Sequence, residues 1–315
     1  SVDHFRMMSS PVAGQIYGDL LSELWTQGMT SGADVTSGDA NVWKFDAANQ
    51  SFTSSPITDI SGSGSGESLT AGQGFLVYVF TDTDNDGNDD LPVTLSVAGT
   101  ENSASATVGS ITAGEWALVG NPYASTIDWD GVTQTNVATS AYVWDDANSQ
   151  YNAWNGSAGD LTNGLIAPYQ GFWVQASGGT GSVTIETADK SSSAGTFYKT
   201  MADSTGSMSF SITSGDYTDK AFVSFMNGGE IGMDNADAYK LLPLTPGERV
   251  VGISYADGNG LDISNLPYSQ EGSISIPLDI MYLTVDDDYN FVTNENDITM
   301  SWDLSSLPET IIGLT

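Results

Sequence analysis

The densest chemistry in the sequence is Asp82-x-Asp84-x-Asp86-Gly87-x-x-Asp90, with five aspartates inside nine residues. Like charges packed this closely repel one another unless a cation sits among them. Alternate carboxylates converge on one ion when the backbone wraps around it, and a glycine after the third ligand permits the sharp turn. Every donor is a hard oxygen on a flexible loop, so the expected ion is calcium, Ca2+. The expected ligands are the carboxylates of Asp82, Asp84, Asp86 and Asp90 with the carbonyl of Asn88. The competing reading is a solvated acidic turn, since turns select Asp in any case. Clustering rather than scatter favours the ion.

Other candidate chemistry is thinner. Asp216, Asp219, Asp234 and Asp237, with Asp286, Asp287 and Asp288 further on, offer a second metal site. The turn reading is preferred for them. His4 is the only histidine and there is no cysteine, so zinc sites and thiol chemistry are not expected. A Ser-His-Asp triad would have to use His4, and no Gly-x-Ser-x-Gly elbow in a strand–turn–helix setting supports one. No Gly-Lys-Ser/Thr phosphate loop is present. Carboxylate pairs for glycoside hydrolysis stay open only because acids are plentiful. The expectation is a protein that is not an enzyme. Eight tryptophans could stack on sugar rings. Several occupy repeat-equivalent strand positions suited to a core; Trp129 and Trp154, among Asp, Asn and Gly, are the better surface candidates, and core or edge packing is the preferred reading.

Composition sets the setting. The chain has 315 residues with 7 basic and 40 acidic side chains, a net charge of −33. A polyanion releases no counterions from nucleic acid, so nucleic acid is an unexpected partner, as is an anionic membrane surface. The charge suits solubility in a salty medium, cation binding, or both. No apolar run approaches the ~20 residues a membrane helix needs, so no transmembrane segment is expected. No signal peptide is read in the first residues, so the expectation for a secreted chain is a signal already removed or lying outside this sequence. The 39% of hydrophobic residues and the 35 glycines recur as short apolar runs broken by turn residues, the pattern of many strands.

Those strands form a duplication. Phe5 to Pro11 aligns with Trp116 to Pro122. Phe45, Asp46, Ala48, Asn49 and Phe52 align with Trp144, Asp145, Ala147, Asn148 and Tyr151. Gln73 to Val77 aligns with Gln170 to Val174, and Val93 to Leu95 with Val183 to Ile185. The expected fold is all-β: tandem antiparallel β-sandwich-like domains, the first two an internal duplication, with one short helix in the first. The boundaries are 1–110 for the first module with its calcium loop, 111–190 for the second copy, and 196–315 for a C-terminal β-sandwich, with the Ser-rich stretch 190–195 as linker. Ile16, Tyr17, Leu20, Leu21 and Leu24 fall at helical spacing. Ser177 to Gly181 suits a hairpin, and the aspartate loop, whose flanks read as strands, takes its place in the first copy. In the third unit Met208, Phe210 and Ile212 alternate with polar residues, as do Ile274, Ile276 and Leu278, and Ile298, Met300, Trp302 and Leu304, the mark of half-buried strands.

The aspartate loop resembles those of thrombospondin type 3 repeats and dockerins. It is not an EF-hand, which would place Glu where Val93 stands and would be flanked by helices. The segments Trp116 to Asp130, Tyr142 to Asp145 and Ile166 to Val174 resemble a module of large secreted Bacteroidetes-type surface proteins that usually end in a type IX secretion sorting domain. Phe222 to Phe225, Met233 to Leu241, Leu261 to Pro267 and Ile276 to Leu278 resemble the β-sandwich that precedes such a domain. The resemblance implies a secreted, cell-surface or outer-membrane-associated protein. No sorting domain is read before Thr315, so the expectation is a tail cut away or removed on secretion. The leading expectation is a structural or adhesive surface protein whose partners are surface glycans or other surface proteins. A self-assembling subunit of an extracellular filament is second, with Ser1 to Met8 as candidate donor strand, and a carbohydrate-binding module is third.

Overall fold

The computed structural model describes residues 3–12, 14–52, 57–62, 67–194, 206–268, 273–287 and 289–307. Residue 195 at the linker's end, the third-unit start at 196, Ser1, Asp288 and Thr315, all named above, lie outside the described residues. The chain is all-β and divides into two compact units: residues 1–137, 143–148 and 165–198, and residues 138–142, 149–164 and 199–315.

In the first unit, β1 (His4–Met8), β2 (Val42–Lys44) and β3 (Phe75–Val79) form a sheet in the order β1-β3-β2. Between β1 and β2 lies α1 (Tyr17–Leu20). The helix is a single turn, shorter than the apolar spacing suggests. Tyr17, Leu20, Leu21 and Leu24 are nonetheless all buried, in one core with Phe75 and Val77. Then follow, in chain order, β4 (Ala106–Ile111), β5 (Trp116–Gly120), β6 (Ile127–Asp128), β7 (Thr133–Thr135), β8 (Ala141–Asp145), of which residues 143–145 belong to this unit, β9 (Gln150–Trp154), which belongs to the second, β10 (Leu165–Ile166), β11 (Gly171–Gln175) and β12 (Gly181–Ile185). The second copy repeats the first sheet: β5 pairs with β11, and β8 follows in the order.

The duplication extends to register. Phe5 faces Tyr78 and Met8 faces Phe75. Their counterparts Trp116 and Val119 face Gln175 and Phe172. After Phe45 and Trp144 the turn is the same: Asp46 Oδ2 accepts from Asn49 Nδ2 at 2.7 Å, and Asp145 Oδ2 from Asn148 Nδ2 at 2.8 Å. The next residues, Gln50 and Ser149, share a left-handed φ of 48° and 50°.

The copies meet about a local twofold. Met8 bridges Gln170, and its counterpart Val119 bridges Gln73. Ser9 N–H donates to Tyr169 O at 2.8 Å, as Gly120 N–H does to Gly72 O at 2.9 Å. A Cβ on Gly74 would stand 2.8 Å from Val119 O, and one on Gly171 would stand 2.9 Å from the matching Met8 O. The repeated Gln-Gly-Phe therefore needs its glycine for space. Gln50 closes one flank, accepting from Trp116 N–H at 2.8 Å and donating to Trp116 O at 3.1 Å. Phe45 packs edge-on against Trp173 beside it, with ring centres 4.6 Å apart.

Two expectations change here. Ser177 to Gly181 is not a hairpin: β11 belongs with β5, and β12 lies in a separate sheet, β4-β12-β7. Asn136 holds that loop, its carbonyl accepting from Ser177 N–H and its amide donating to Thr180 O. Val93 to Leu95 is not an assigned strand like its counterpart in β12. Leu91, Val93, Leu95 and Val97 still alternate onto the core beneath them.

The second unit contains β13 (Ser207–Ser214), β14 (Tyr217–Met226), β15 (Ala238–Tyr239), β16 (Arg249–Ala256), β17 (Asn259–Pro267), β18 (Leu278–Val285), β19 (Phe291–Asn294) and β20 (Thr299–Asp303). They make one curled sheet in the order β19-β18-β16-β17-β14-β13-β20, with β15 on β17. Two-residue turns set its hairpins. Gly215 and Asp216 join β13 to β14, with Gly215 at φ 59°, and Asp257 and Gly258 join β16 to β17 at φ 50° and 82°. One pair, β14 with β17, is parallel. Ile274 and Ile276 pack on the core but precede β18.

The glycine crossing yields a test. Gly74→Ala and Gly171→Ala should each destabilise the fold by about 1–3 kcal/mol, the usual cost of forced overpacking. Gly178→Ala, where a Cβ meets nothing within 4 Å, should stay within about 0.5 kcal/mol of the parent. Urea unfolding of the three variants measures this.

Candidate functional site

The aspartate loop hangs between β3 and the Leu91 to Val97 stretch. Asp90 N–H donates to Thr81 O at 2.9 Å and closes its neck. Thr81 is buried, and its N–H is held by Asp3 Oδ1 at 3.0 Å. Inside the loop Asp82 accepts from Asp86 N–H at 3.1 Å and from Gly87 N–H at 2.8 Å. These bonds curl the chain around the first carboxylate. Asn85 at φ 60° and Gly87 at φ 94° supply the left-handed turns, which Asn and Gly adopt at least cost.

The curl gathers one oxygen each from Asp82, Asp84 and Asp86 within 4.8 Å of one another, the one such grouping among the described residues. Desolvation, then the carboxylates of Asp86 and Asp90, push Asp84 above the usual aspartate range. Asp90 stands apart from the trio: its Oδ2 accepts from Thr83 N–H at 2.8 Å and Thr83 Oγ1 at 3.1 Å. Asn88 donates its backbone and side-chain N–H to Asp86 Oδ1, each at 2.9 Å. Three of the five expected ligands are thus brought together. Oxygen-only donors at this spacing fit a calcium ion, and Asp90 and the Asn88 carbonyl are the residues that would complete its shell.

Among the described residues the other acids do not assemble into a metal group. Asp216 is in the β13–β14 turn and Asp219 is buried on β14. Asp234 and Asp237 act as loop braces. Asp234 Oδ1 accepts from Ala236 N–H at 2.7 Å, and Asp237 accepts from Asn265 N–H and Asp234 N–H, both at 2.7 Å. Burial pushes Asp237 up to about 6. Asp286 caps a turn by accepting from Asn290 N–H.

The two tryptophans singled out as surface candidates follow the preferred reading, core packing. Trp129 is 0% and Trp154 5% exposed, so neither offers a ring face to a sugar. Trp129 sits in a short 3-10 turn capped by Asp128, and its ring meets Phe172 edge-on at 5.7 Å. The local polar residues are caps that turn the ring inward. Half-buried aromatics instead run along the first sheet, with Phe5 4.8 Å from Tyr78 and 6.2 Å from Trp43 between ring centres.

One cluster is not legible in the sequence. Lys240 Nζ donates to Asp219 Oδ1 and Asp262 Oδ1, each at 2.7 Å, and to Lys220 O at 3.0 Å. Asp219 Oδ2 accepts from Gly252 N–H at 2.8 Å. Burial opposes the charge of Lys240, but the two carboxylates override it and hold the amine above the usual lysine range. Burial pushes Asp262 up to about 6 despite Lys240. Two carboxylates share one ammonium, so one of them takes a proton more readily than it would in water. The scarcity of lysine was the only available signal.

The chain matches no protein-family model, no curated protein and no solved structure.

The braced acid gives a pH prediction. Asp237 titrates near 6 folded and near ~3.9 unfolded, so the folded state binds the proton more tightly between those values. Its contribution is full below about 4 and is lost as pH rises through about 6, by roughly 2 kcal/mol. Urea unfolding from pH 4 to pH 7 should show this fall in the parent, and Asp237→Asn should lack it.

Proposed function

We propose that the chain is a non-catalytic extracellular surface protein, structural or adhesive, that uses calcium to stabilise the Asp82–Asp90 loop. The observation that carries this reading is the convergence of Asp82, Asp84 and Asp86 within 4.8 Å, on a loop already curled around Asp82. Such a loop, tied to a core by alternating apolar residues, acts as a staple. An ion joins the end of β3 to the segment that covers it. Calcium at millimolar level is an extracellular condition, and extracellular modules bind it at about 10⁻⁴ to 10⁻³ M. The acidic surface and the resemblance to type IX-secreted proteins support the same compartment. The non-catalytic reading rests on the inventory of one histidine and no cysteine, with His4 2.9 Å from Asp146 in a pair that also holds Arg6 at 2.8 Å.

Calcium at ten times its dissociation constant should stabilise the folded state by about 1.4 kcal/mol. Thermal unfolding across a calcium titration reads this. The effect should vanish in Asp84→Ala, and a melting temperature indifferent to calcium contradicts the reading.

One observation favours the filament as second reading. Among the described residues β20 ends the order of its sheet, and on it Met300 is 38% and Trp302 56% exposed. Edge strands offer unpaired backbone groups to another chain, and an apolar row gives that pairing something to bury. On this reading the protein forms polymers at millimolar calcium, visible by light scattering and electron microscopy, and Trp302→Asp abolishes them. A monomer under all conditions leaves adhesion or spacing as the role.

A further inference from the structure

We propose that Lys240 and Asp219 condense to form an intramolecular amide cross-link, with Asp262 as the acid–base group that moves the protons. The strand order sets up the encounter. β17 carries Asp262 and is flanked by β14, where Phe222 faces Ile263 in parallel register, and by β15, where Ala238 faces the same Ile263. Asp219 lies on β14 and Lys240 directly follows β15. The nucleophile and the electrophile therefore come from two of the three neighbours, β14 and β15 beside β16, of a central strand that carries the acid. The amine is 2.7 Å from an oxygen of each carboxylate, so the reacting groups are already held in contact, and attack needs the nitrogen to move from Oδ1 onto the Asp219 carboxyl carbon.

Each chemical role has a group in place. A buried ammonium–carboxylate pair is costly to desolvate, and condensation removes both charges at once. Asp262 readily carries a proton, as its upward shift to about 6 indicates. Asp219 Oδ2 is anchored by Gly252 N–H at 2.8 Å, the donor that an oxyanion on that atom needs. The step balances as follows. Asp262 takes one proton from the ammonium, leaving a neutral amine, and passes it to Asp219 Oδ1. The nitrogen lone pair forms a bond to Asp219 Cγ. A second N–H proton moves through Asp262 to Oδ1, the Cγ–Oδ1 bond breaks, and water leaves. Oδ2 becomes the amide carbonyl, still held by Gly252, and Asp262 returns to a carboxylate that accepts from the remaining N–H. Nothing is oxidised or reduced. In a surface protein without disulfides such a bond would tie β14 to the end of β15 permanently, across β17.

Mass spectrometry of the full folded chain tests this. The intact protein should be lighter than its sequence by one water. Trypsin should fail to cleave after Lys240, and the peptide ending at Lys220 should be joined to the one containing Lys240. Lys240→Arg should restore the full sequence mass. Asp262→Asn should remain unlinked while keeping the β-sheet circular dichroism of the parent. A folded parent at full sequence mass with Lys240 cleavable overturns the proposal and leaves an ion cluster only. A link found on Asp262 overturns the assignment of roles. If a variant fails to fold, the mass of the parent decides alone.

Discussion

The first unit is organised by the place where its two copies touch backbone to backbone. β1 and β5 each lay a carbonyl, from Met8 and Val119, against the glycine that opens the other copy's strand, Gly171 and Gly74. Any side chain there would push the strands apart. The contact is self-complementary, as in a twofold dimer, where residue i meets j and j meets i. Here both halves are on one chain, so dimer geometry is reached without an association step. Because β3 is fixed from both sides, by β1 and β2 within its copy and by this crossing beyond it, the end of β3 is a firm base for the aspartate loop.

Charge is the second constraint. Each described lysine and arginine is committed to internal partners: Arg6 to Asp146, Lys44 to Glu67, Lys190 to Glu101, Lys220 to Asp160, and Lys240 to Asp219 and Asp262. Arg249 donates to the carbonyls of Gly247, Thr245 and Ser149. Apart from the buried Asp145, Asp189 and Asp237, the excess of described carboxylates lies at or near the surface. Such a surface resists close approach by its own kind unless ions screen it. The same repulsion, concentrated in the Asp82–Asp90 loop, is what a divalent cation would relieve.

Local signals were legible in the sequence. The Gly215-Asp216 and Asp257-Gly258 turns, the alternation of β13, the duplicated register and the convergence of alternate aspartates all follow from neighbours in the chain. What stayed hidden depends on distant residues. The parallel pairing of β14 with β17 and the meeting of Lys240 with Asp219 and Asp262 need the sheet order first. Trp129 and Trp154 stood out as surface candidates because the polar groups around them cap turns, and a cap shows no direction in sequence. Ser177 to Gly181 read as a hairpin because loop length does not tell which sheet the chain enters next. Ile298, Met300 and Trp302 alternate like a half-buried strand, yet their strand lies at an edge where alternation buries little.

The claim on which the functional account rests is that Asp82, Asp84 and Asp86 hold an ion. Anomalous scattering from crystals grown at millimolar calcium tests it most directly. The account predicts one peak among those carboxylates, with six to eight oxygen ligands at about 2.3–2.6 Å that include the Asn88 carbonyl and an Asp90 oxygen turned away from Thr83. A loop with no peak, its carboxylates hydrated and Asp90 still bonded to Thr83, would contradict it and leave a solvated acidic turn.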